Sequence, residues 1–407
     1  MKAYERFLKY IKVHTASDSK SSDSPTTTRQ FNLANMLVDE LQKFGIENAY
    51  VDEYCYVYAE IPATVGMENC KRIAFISHMD TSPDFCGENV KPQIIENYDG
   101  TDVILGTSGK ILKVSDFPDL KELKGRTLIT TDGNTLLGAD DKAGIAEIMT
   151  AVEKIISEKI PHGKITICFT PDEEVGKGTE HIRLEAINSD FGYTLDGGYE
   201  GEIVYENFNA ASAVFKINGF NVHPGTAKNT LINAQLVAME INSMLPSAEI
   251  PQFTEGYEGF YHLCEMHGTV ENATLEYIIR DHSSEMFNAR KQTLKHIEKI
   301  INEKYGENTV TLEINDQYKN MSEKIKPCFH IVENAIKVIK DLGIKESVQP
   351  IRGGTDGAGL SFMGLPCPNL GTGGYAYHGP YEHITVEGME TSVNIILGII
   401  KSYAVIE

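Results

Sequence analysis

Several common sequence features are missing from this 407-residue chain, and each absence excludes a class of protein. The seven cysteines are odd in number and include no CxxC pair, which argues against a disulfide framework and against a thiolate zinc site. No segment approaches the roughly 20 apolar residues of a membrane span. The N-terminus carries charges where a signal peptide needs an apolar run. We therefore expect a cytoplasmic protein with no membrane partner.

Basic tracts are also missing, although the chain carries a formal net charge of −21. This balance argues against nucleic acid as a partner. Hydrophobic residues make up 41% of the chain and charged residues 23%, which is typical of globular proteins. A chain of 407 residues is too long for one ordinary core, so two domains are expected.

Predicted strands and helices alternate through most of the chain. Buried strands are predicted at residues 72–77, 164–170 and 191–195. Such alternation predicts an α/β fold with a mostly parallel sheet, in which ligands bind at the carboxyl ends of the strands. We assign residues 1–206 and 323–407 to this catalytic domain. Residues 207–322 have a different pattern, which predicts an inserted α+β domain with strands at 213–217, 274–280 and 310–314 and helices at 230–244 and 284–305.

Acidic residues and histidines follow the predicted strands. His78 and Asp80 come directly after the first strand, and side chains two residues apart on an extended chain point the same way. Asp80 can therefore accept a hydrogen bond from the His78 nitrogen that does not bind metal. Asp140 precedes a predicted helix, where its carboxylate can bridge two cations. The alternatives are a solvated loop histidine and a plain helix N-cap at Asp140–Asp141.

Three more carboxylates and a second histidine complete the pattern. Glu173 and Glu174 are adjacent, so their side chains diverge. This divergence would allow one carboxylate to bind a metal and the other to act as general base beside a metal-bound water. Asp196 lies in a Leu-Asp-Gly-Gly sequence that allows close backbone approach. His378 lies in a glycine- and tyrosine-rich loop, with His383 as a nearby rival. Solvated turn residues are the alternative for the carboxylates.

The charges of these residues favour two metal ions over one. Asp140, Glu174 and Asp196 carry three negative charges, which two zinc ions and one hydroxide would neutralise. A single zinc ion would leave uncompensated carboxylates in a cleft, which is costly. We expect two Zn²⁺ ions per subunit, about 3.5–4 Å apart. The residues by themselves predict a metal-dependent hydrolase.

Five longer motifs resemble a known family. They are Ser-His-Met-Asp-Thr-Ser-Pro-Asp (77–84), Leu-Leu-Gly-Ala-Asp-Asp-Lys-Ala-Gly (136–144), Pro-Asp-Glu-Glu-Val-Gly (171–176), His-Pro-Gly-Thr-Ala-Lys (223–228) and Arg-Gly-Gly-Thr-Asp-Gly-Ala (352–358). They are similar to motifs of the tripeptide aminopeptidases in the dizinc metallopeptidase family that also contains carboxypeptidase G, aminoacylases and several dipeptidases. The resemblance covers essentially the whole chain. One local difference, the Tyr-Glu-His sequence at residues 381–383, is expected to alter the pocket rim.

The resemblance implies a role for each residue. The ligands would be His78 and Asp196 for one zinc ion, Glu174 and His378 for the other, and Asp140 as the bridge. The catalytic residues would be Asp80, which orients His78, and Glu173, the general base. The resemblance also implies a cis peptide bond between Asp140 and Asp141.

The inserted domain resembles the lid of the family. On lid closure His223 would reach the oxyanion that develops on the scissile carbonyl; a surface turn histidine is the alternative. Arg280 in the lid and Arg352 in the catalytic domain would clamp the substrate carboxylate or backbone. Surface salt bridges are their alternative. Edge strands of the lid could also pair in a homodimer.

The implied activity is that of a zinc-dependent aminopeptidase that releases the N-terminal residue from tripeptides. Metal-bound hydroxide would attack the peptide carbonyl, with Glu173 as general base. Small peptides are the expected substrates. A dipeptidase or an N-acyl amino acid deacylase is the alternative on the same dizinc scaffold. A metal-dependent binding protein without turnover is a third reading, which the presence of Glu173 disfavours because a binder needs no base.

Overall fold

The computed structural model describes residues 1–404, which divide into two compact units. The larger unit comprises Met1–Tyr205, Glu323–Gln349 and the residues from Thr355 onward, and the smaller unit comprises Glu206–Ser322 and Pro350–Gly354. Arg352 therefore lies in the smaller unit, which corrects its predicted place in the catalytic domain. The reason is that its guanidinium donates to the carbonyls of Gly256 and Glu258, at 2.8 and 2.9 Å. Over residues 1–404 no helix has both the length and the apolar character needed to span a membrane.

The chain folds into ten helices and seventeen strands over this described range. The helices are α1 Ala3–Tyr10, α2 Gln30–Lys43, α3 Ala139–Ser157, α4 Leu184–Ile187, α5 Ala234–Ser243, α6 Ser284–Tyr305, α7 Ser322–Ile325, α8 His330–Asp341, α9 Asp356–Met363 and α10 Val386–Tyr403. The strands are β1 Tyr50–Val51, β2 Val57–Ile61, β3 Ile73–His78, β4 Gln93–Ile95, β5 Val103–Ile104, β6 Ile111–Leu112, β7 Leu128–Thr130, β8 Ile165–Thr170, β9 Phe191–Gly197, β10 Ile203–Val204, β11 Asn209–Asn218, β12 Phe260–Gly268, β13 Asn272–Asp281, β14 Val310–Tyr318, β15 Asn369–Gly371, β16 Gly374–Tyr375 and β17 His383–Thr385.

A seven-stranded sheet, in the order β1-β2-β8-β3-β9-β15-β10, forms the centre of the larger unit. The four inner strands β8, β3, β9 and β15 run parallel to one another, whereas β2 and β10 pair antiparallel at the two sides. Every residue of β3 and β8 is buried, as expected for parallel strands with both faces covered. The predicted α/β fold with a mostly parallel sheet is confirmed.

Helix α3 packs against β3 and β9 and against helices α1 and α10. It approaches the sheet closely at Gly144, where an added Cβ would lie 2.2 Å from the carbonyl oxygen of Leu195. Only glycine allows this approach. The close packing brings the start of α3, which carries Asp140, to the carboxyl ends of the strands.

The smaller unit contains a four-stranded antiparallel sheet in the order β12-β13-β11-β14, with α5 and α6 packed against it. Three of these strands and both helices correspond to predicted elements. Strand β12 was missed, because only its first two residues are buried and the rest is partly or fully exposed. This edge strand mixes apolar and polar residues without the regular alternation by which strands are recognised.

Candidate active site

The carboxyl ends of three neighbouring parallel strands carry the first group of candidate residues. His78 is the last residue of β3, Asp196 is near the end of β9, and Glu173 and Glu174 form a short 3₁₀ turn just after β8. Because parallel strands end at the same edge of a sheet, residues far apart in the sequence meet there. Asp140 at the start of α3 joins them.

Asp140 lies between the two candidate histidines. Its Oδ1 is 2.9 Å from Nε2 of His78, and its Oδ2 is 3.1 Å from Nε2 of His378. Nε2 of His78 is also 3.5 Å from Asp196 Oδ1, and Nε2 of His378 is 2.9 Å from Glu174 Oε2. The structure therefore brings together all five residues that the sequence suggested as metal ligands, with one carboxylate oxygen of Asp140 facing each imidazole.

Asp80 is completely buried behind His78. Nδ1 of His78 is 3.1 Å from the Asp80 carbonyl oxygen and 3.4 Å from its carboxylate. The same carboxylate accepts hydrogen bonds from the backbone N–H groups of Glu173 and Glu174, at 3.0 and 3.2 Å. Asp80 therefore contacts both His78 and the turn that carries the two glutamates, which is more than the sequence suggested.

The charges in this cluster strongly perturb one another. Burial alone would lower the pKa of His78, but hydrogen bonds to Asp140, Asp196 and Asp80 outweigh it and raise that pKa well above its ordinary value. Hydrogen bonds to Asp140 and Glu174 raise the pKa of His378 to about 11. The carboxylates thus attract positive charge at both imidazoles.

The pKa values of the two adjacent glutamates are both raised. Burial and the charge of Asp140 raise the pKa of Glu174 to about 7. Burial, followed by the charge of Asp196, raises the pKa of Glu173 well above its ordinary value. A carboxyl group that takes up a proton readily is suited to general acid–base chemistry.

The donor atoms fit metal cations. Two imidazole nitrogens and several carboxylate oxygens converge, and two overlapping sets could each hold an ion: His78 with Asp140 and Glu174, and His78 with Asp141 and Asp196. Oε1 of Glu174 is buried without a hydrogen-bond partner in residues 1–404. Nitrogen and oxygen donors of this kind are typical zinc ligands, and a buried orphan oxygen is costly unless a ligand satisfies it.

Asp141 has a larger part than the capping role suggested by the sequence. Its carboxylate accepts hydrogen bonds from the His78 backbone N–H, at 3.1 Å, and from the Ser77 hydroxyl. Its Oδ1 has no partner within the described part of the chain. The Asp140–Asp141 peptide bond is cis, as the family resemblance implied.

Asp172, immediately before the glutamate pair, is held by residues that the sequence analysis did not identify. Asp172 adopts a positive φ of 57°. Its carboxylate accepts from the backbone N–H of Thr26 at 2.7 Å, from the Thr26 hydroxyl at 2.5 Å and from the Gln30 amide at 2.7 Å. Thr26 and Gln30 lie more than 140 residues earlier in the sequence, so no local pattern indicates these contacts.

The three residues suggested for substrate binding all lie in the smaller unit. His223 is exposed, and its Nδ1 accepts the backbone N–H of Gly225 at 3.1 Å. Arg280 donates to two backbone carbonyls and lies over the Tyr318 ring, 5.4 Å from its centroid. The Arg352 guanidinium is stacked on Phe208 and Phe260. Both arginines therefore have partners inside their own unit.

Comparison with known proteins gives consistent matches. The model of peptidase family M20/M25/M40 matches residues 129–402. The chain is 54% identical over 405 residues to peptidase T of Halothermothrix orenii, covering 99% of each chain. Among solved structures, aminopeptidase PepT from Bacillus cereus has a TM-score of 0.79 at 23% identity, covering 99% of this chain and 98% of the other. A dinuclear metal-binding peptidase of the M20 family from Bacillus subtilis has a TM-score of 0.66 at 15% identity, covering 99% and 98%.

Proposed function

This chain belongs to peptidase family M20/M25/M40, and on that premise we propose that it is an aminopeptidase that releases the N-terminal residue from tripeptides. One observation carries the proposal. Each imidazole faces one carboxylate oxygen of Asp140, and the Asp80 carboxylate next to His78 accepts a hydrogen bond from the Glu173 backbone N–H. The relatives that share half of its residues over the full length are peptidases T, which supports tripeptides as the substrate class.

We assign two zinc ions to the centre. His78 and Asp196 would hold one, Glu174 and His378 the other, and Asp140 would contact both. The assignment is supported by the contacts of the two histidines, since each Nε2 faces Asp140 and one further carboxylate. When bound, the metals would supply positive charge that polarises the peptide carbonyl and lowers the pKa of the attacking water.

Glu173 is the group that moves protons in this proposal. Its carboxylate would accept a proton from the attacking water and then give it to the amine that leaves when the peptide bond breaks. Its backbone is held on one side by Asp80, at 3.0 Å. On the other side the preceding residue, Asp172, is bonded to Thr26 and Gln30. These contacts fix the base in place before substrate arrives.

His223 is proposed to stabilise the oxyanion of the scissile carbonyl. Because its Nδ1 accepts the Gly225 N–H, the neutral ring carries its proton on Nε2, which is then available as a donor. Arg280 and Arg352 are proposed to bind the substrate carboxylate or backbone. Either arginine would have to exchange some of its present contacts for the substrate.

The cellular setting of the enzyme is also a proposal. All seven cysteines are free thiols, which a reducing cytoplasm would maintain. The two edge strands β12 and β14 of the smaller unit offer unpaired backbone groups, and pairing of one edge with a second copy would give a homodimer. Light scattering of the purified protein would distinguish monomer from dimer.

Product analysis by mass spectrometry tests the activity. The zinc-loaded enzyme is given one apolar tripeptide together with the matching dipeptide, tetrapeptide and N-acetyl tripeptide. Loss of the first residue from the free tripeptide alone is the expected result. Cleavage of the dipeptide would favour a dipeptidase, and cleavage of the acetylated peptide would favour an N-acyl amino acid deacylase. Either result would overturn the tripeptide assignment while leaving metal-dependent hydrolysis in place.

A further inference from the structure

Glu382 lies four residues after the candidate ligand His378 and is almost completely buried, with 1% of its surface exposed. The sequence suggested that this position alters the rim of the pocket. Its burial shows instead that the side chain points into the protein, and both of its carboxylate oxygens are used there.

The Glu382 carboxylate binds the backbone just before and at Asp140. Oε2 accepts hydrogen bonds from the N–H groups of Leu137 and Gly138, at 2.7 and 2.8 Å. Oε1 accepts a hydrogen bond from the N–H of Asp140, at 2.9 Å. Leu137 and Gly138 precede α3, Gly138 has a positive φ of 82°, and the backbone at Asp140 and Asp141 is not helical. The N–H groups of this irregular segment therefore need acceptors from elsewhere in the fold. Glu382 provides those acceptors from a position at least 242 residues away in the sequence.

The contact also joins two loops of the candidate centre. Glu382 and His378 belong to one short segment between β16 and β17, in which the Glu382 N–H donates to the Gly379 carbonyl at 3.4 Å. Asp140 belongs to the other loop. One carboxylate thus ties the backbone of the His378 segment to the backbone of Asp140, whose Oδ2 is 3.1 Å from His378 Nε2.

We propose that Glu382 is a positioning residue that fixes Asp140 relative to His378 and so sets the geometry of the two-metal centre. The inference rests on the proposed function, because it takes Asp140 as the ligand shared by both metals. Glu382 is not itself a ligand in this proposal, since its two oxygens are occupied by three N–H donors. Groups that orient metal ligands in this way typically change metal affinity or activity by about 10- to 100-fold when they are removed.

Glu382→Gln is the sharpest test, because it preserves the shape of the side chain and removes one acceptor oxygen. The amide NH₂ group would face a backbone N–H, either at Asp140 or at Leu137 and Gly138. We expect the variant to bind metal about 10- to 100-fold more weakly in a chelator competition. The visible absorption spectrum of the cobalt-loaded protein should also change, since it reports ligand geometry directly.

Glu40→Gln provides a matched control in the same unit. Glu40 is also a buried carboxylate with several donors, namely Arg6 at 2.7 Å, Tyr10 at 3.0 Å and Lys9 at 3.2 Å. All of these partners lie in α1. The control should lower the melting temperature of the metal-free protein while leaving metal affinity and the cobalt spectrum unchanged. The proposal would be overturned if Glu382→Gln kept the wild-type metal affinity and cobalt spectrum. It would also be overturned if Glu382→Gln and Glu40→Gln lost metal affinity equally.

A measurement on the unchanged protein covers the case in which Glu382→Gln does not fold. Because the acceptor is a side chain of the protein, the amides of Leu137, Gly138 and Asp140 should be protected from hydrogen exchange with and without metal. Protection that appears only on metal addition would overturn the inference. Failure of the wild type to bind metal or cleave tripeptides would instead count against the proposed function, so the two failures are distinguishable.

Discussion

The two histidines of the centre sit in very different surroundings. His78 ends a central strand, is 2% exposed and has Asp80 behind it. The His378 side chain is 43% exposed on a loop, with positive φ, and the carboxylate near its Nδ1 is the exposed Asp84 at 3.8 Å. The His78 side is therefore fixed by the core of the fold, whereas the His378 side is open to solvent and depends on loop contacts.

The largest effect should come from the proposed general base. Glu173→Gln removes the proposed base without removing a proposed ligand, so we expect kcat to fall by about 10²- to 10⁴-fold while both metals still bind. Steady-state kinetics and metal analysis of the same preparation check this. A variant that keeps more than a tenth of the activity would show that another group moves the proton.

The two histidines should differ sharply when each is replaced by alanine. His78→Ala leaves the carboxylate of Asp196 without its histidine partner and that of Asp140 with His378 alone. We expect this loss to cost about 3–5 kcal/mol of unfolding free energy and to reduce bound metal. His378→Ala removes a half-exposed side chain, so it should lose metal with a much smaller change in stability. Urea unfolding and metal content of the two variants would show this difference. Equal stability losses would contradict the comparison.

The carboxylates near Nδ1 of each histidine, Asp80 and Asp84, allow the buried and the exposed side to be compared with a smaller change. Asp80→Asn should lower metal affinity or kcat/KM by about 10- to 100-fold, because Asp80 contacts His78 and the backbone of both glutamates. Asp84→Asn should change them by less than about threefold, since an exposed charge at 3.8 Å interacts weakly. Similar effects of the two changes would mean that the open side is as constrained as the buried one.

The last prediction concerns stability and its pH dependence, and it lies behind the His78 side, in helix α3. Glu147 is completely buried, and neither carboxylate oxygen has a partner among residues 1–404. Burial, then the charges of Asp141 and Glu200, raise its pKa well above the ordinary value. The folded protein therefore keeps a proton that the unfolded chain releases above about pH 4.3. This contribution to stability is present at lower pH and is lost as the pH rises towards the folded pKa, by about 1.4 kcal/mol per pH unit.

Glu147→Gln should remove this pH dependence, so the variant should gain stability over the wild type as the pH rises above about 5. Glu153→Gln on the same helix is the control. Despite partial burial, hydrogen bonds to the N-terminal amine and Arg6 lower the pKa of Glu153, so its replacement should cost stability at neutral pH. Urea unfolding at a series of pH values checks both signs. Parallel profiles for the wild type and Glu147→Gln would contradict the prediction.

Much of the fold could be predicted because its pattern is local. The buried runs of β3, β8 and β9 predicted a parallel sheet, and the residues that follow them supplied His78, Glu173, Glu174 and Asp196. The edge strand β12 was missed because its exposed residues carry no alternating pattern. The segment with Arg352 was assigned to the wrong unit, since its partners lie almost 100 residues earlier in the chain.

The sequence by itself determined the chemistry of this protein: the residue types, their order after the strands, and membership of a peptidase family. Only the tertiary structure decided how those residues are held. The contacts of Asp172 with Thr26 and Gln30, and of Glu382 with the Asp140 backbone, join segments more than 140 residues apart. The physical reason is that propensity and periodicity act over a few neighbouring residues, whereas a buried carboxylate is satisfied by whichever donors the complete fold brings to it.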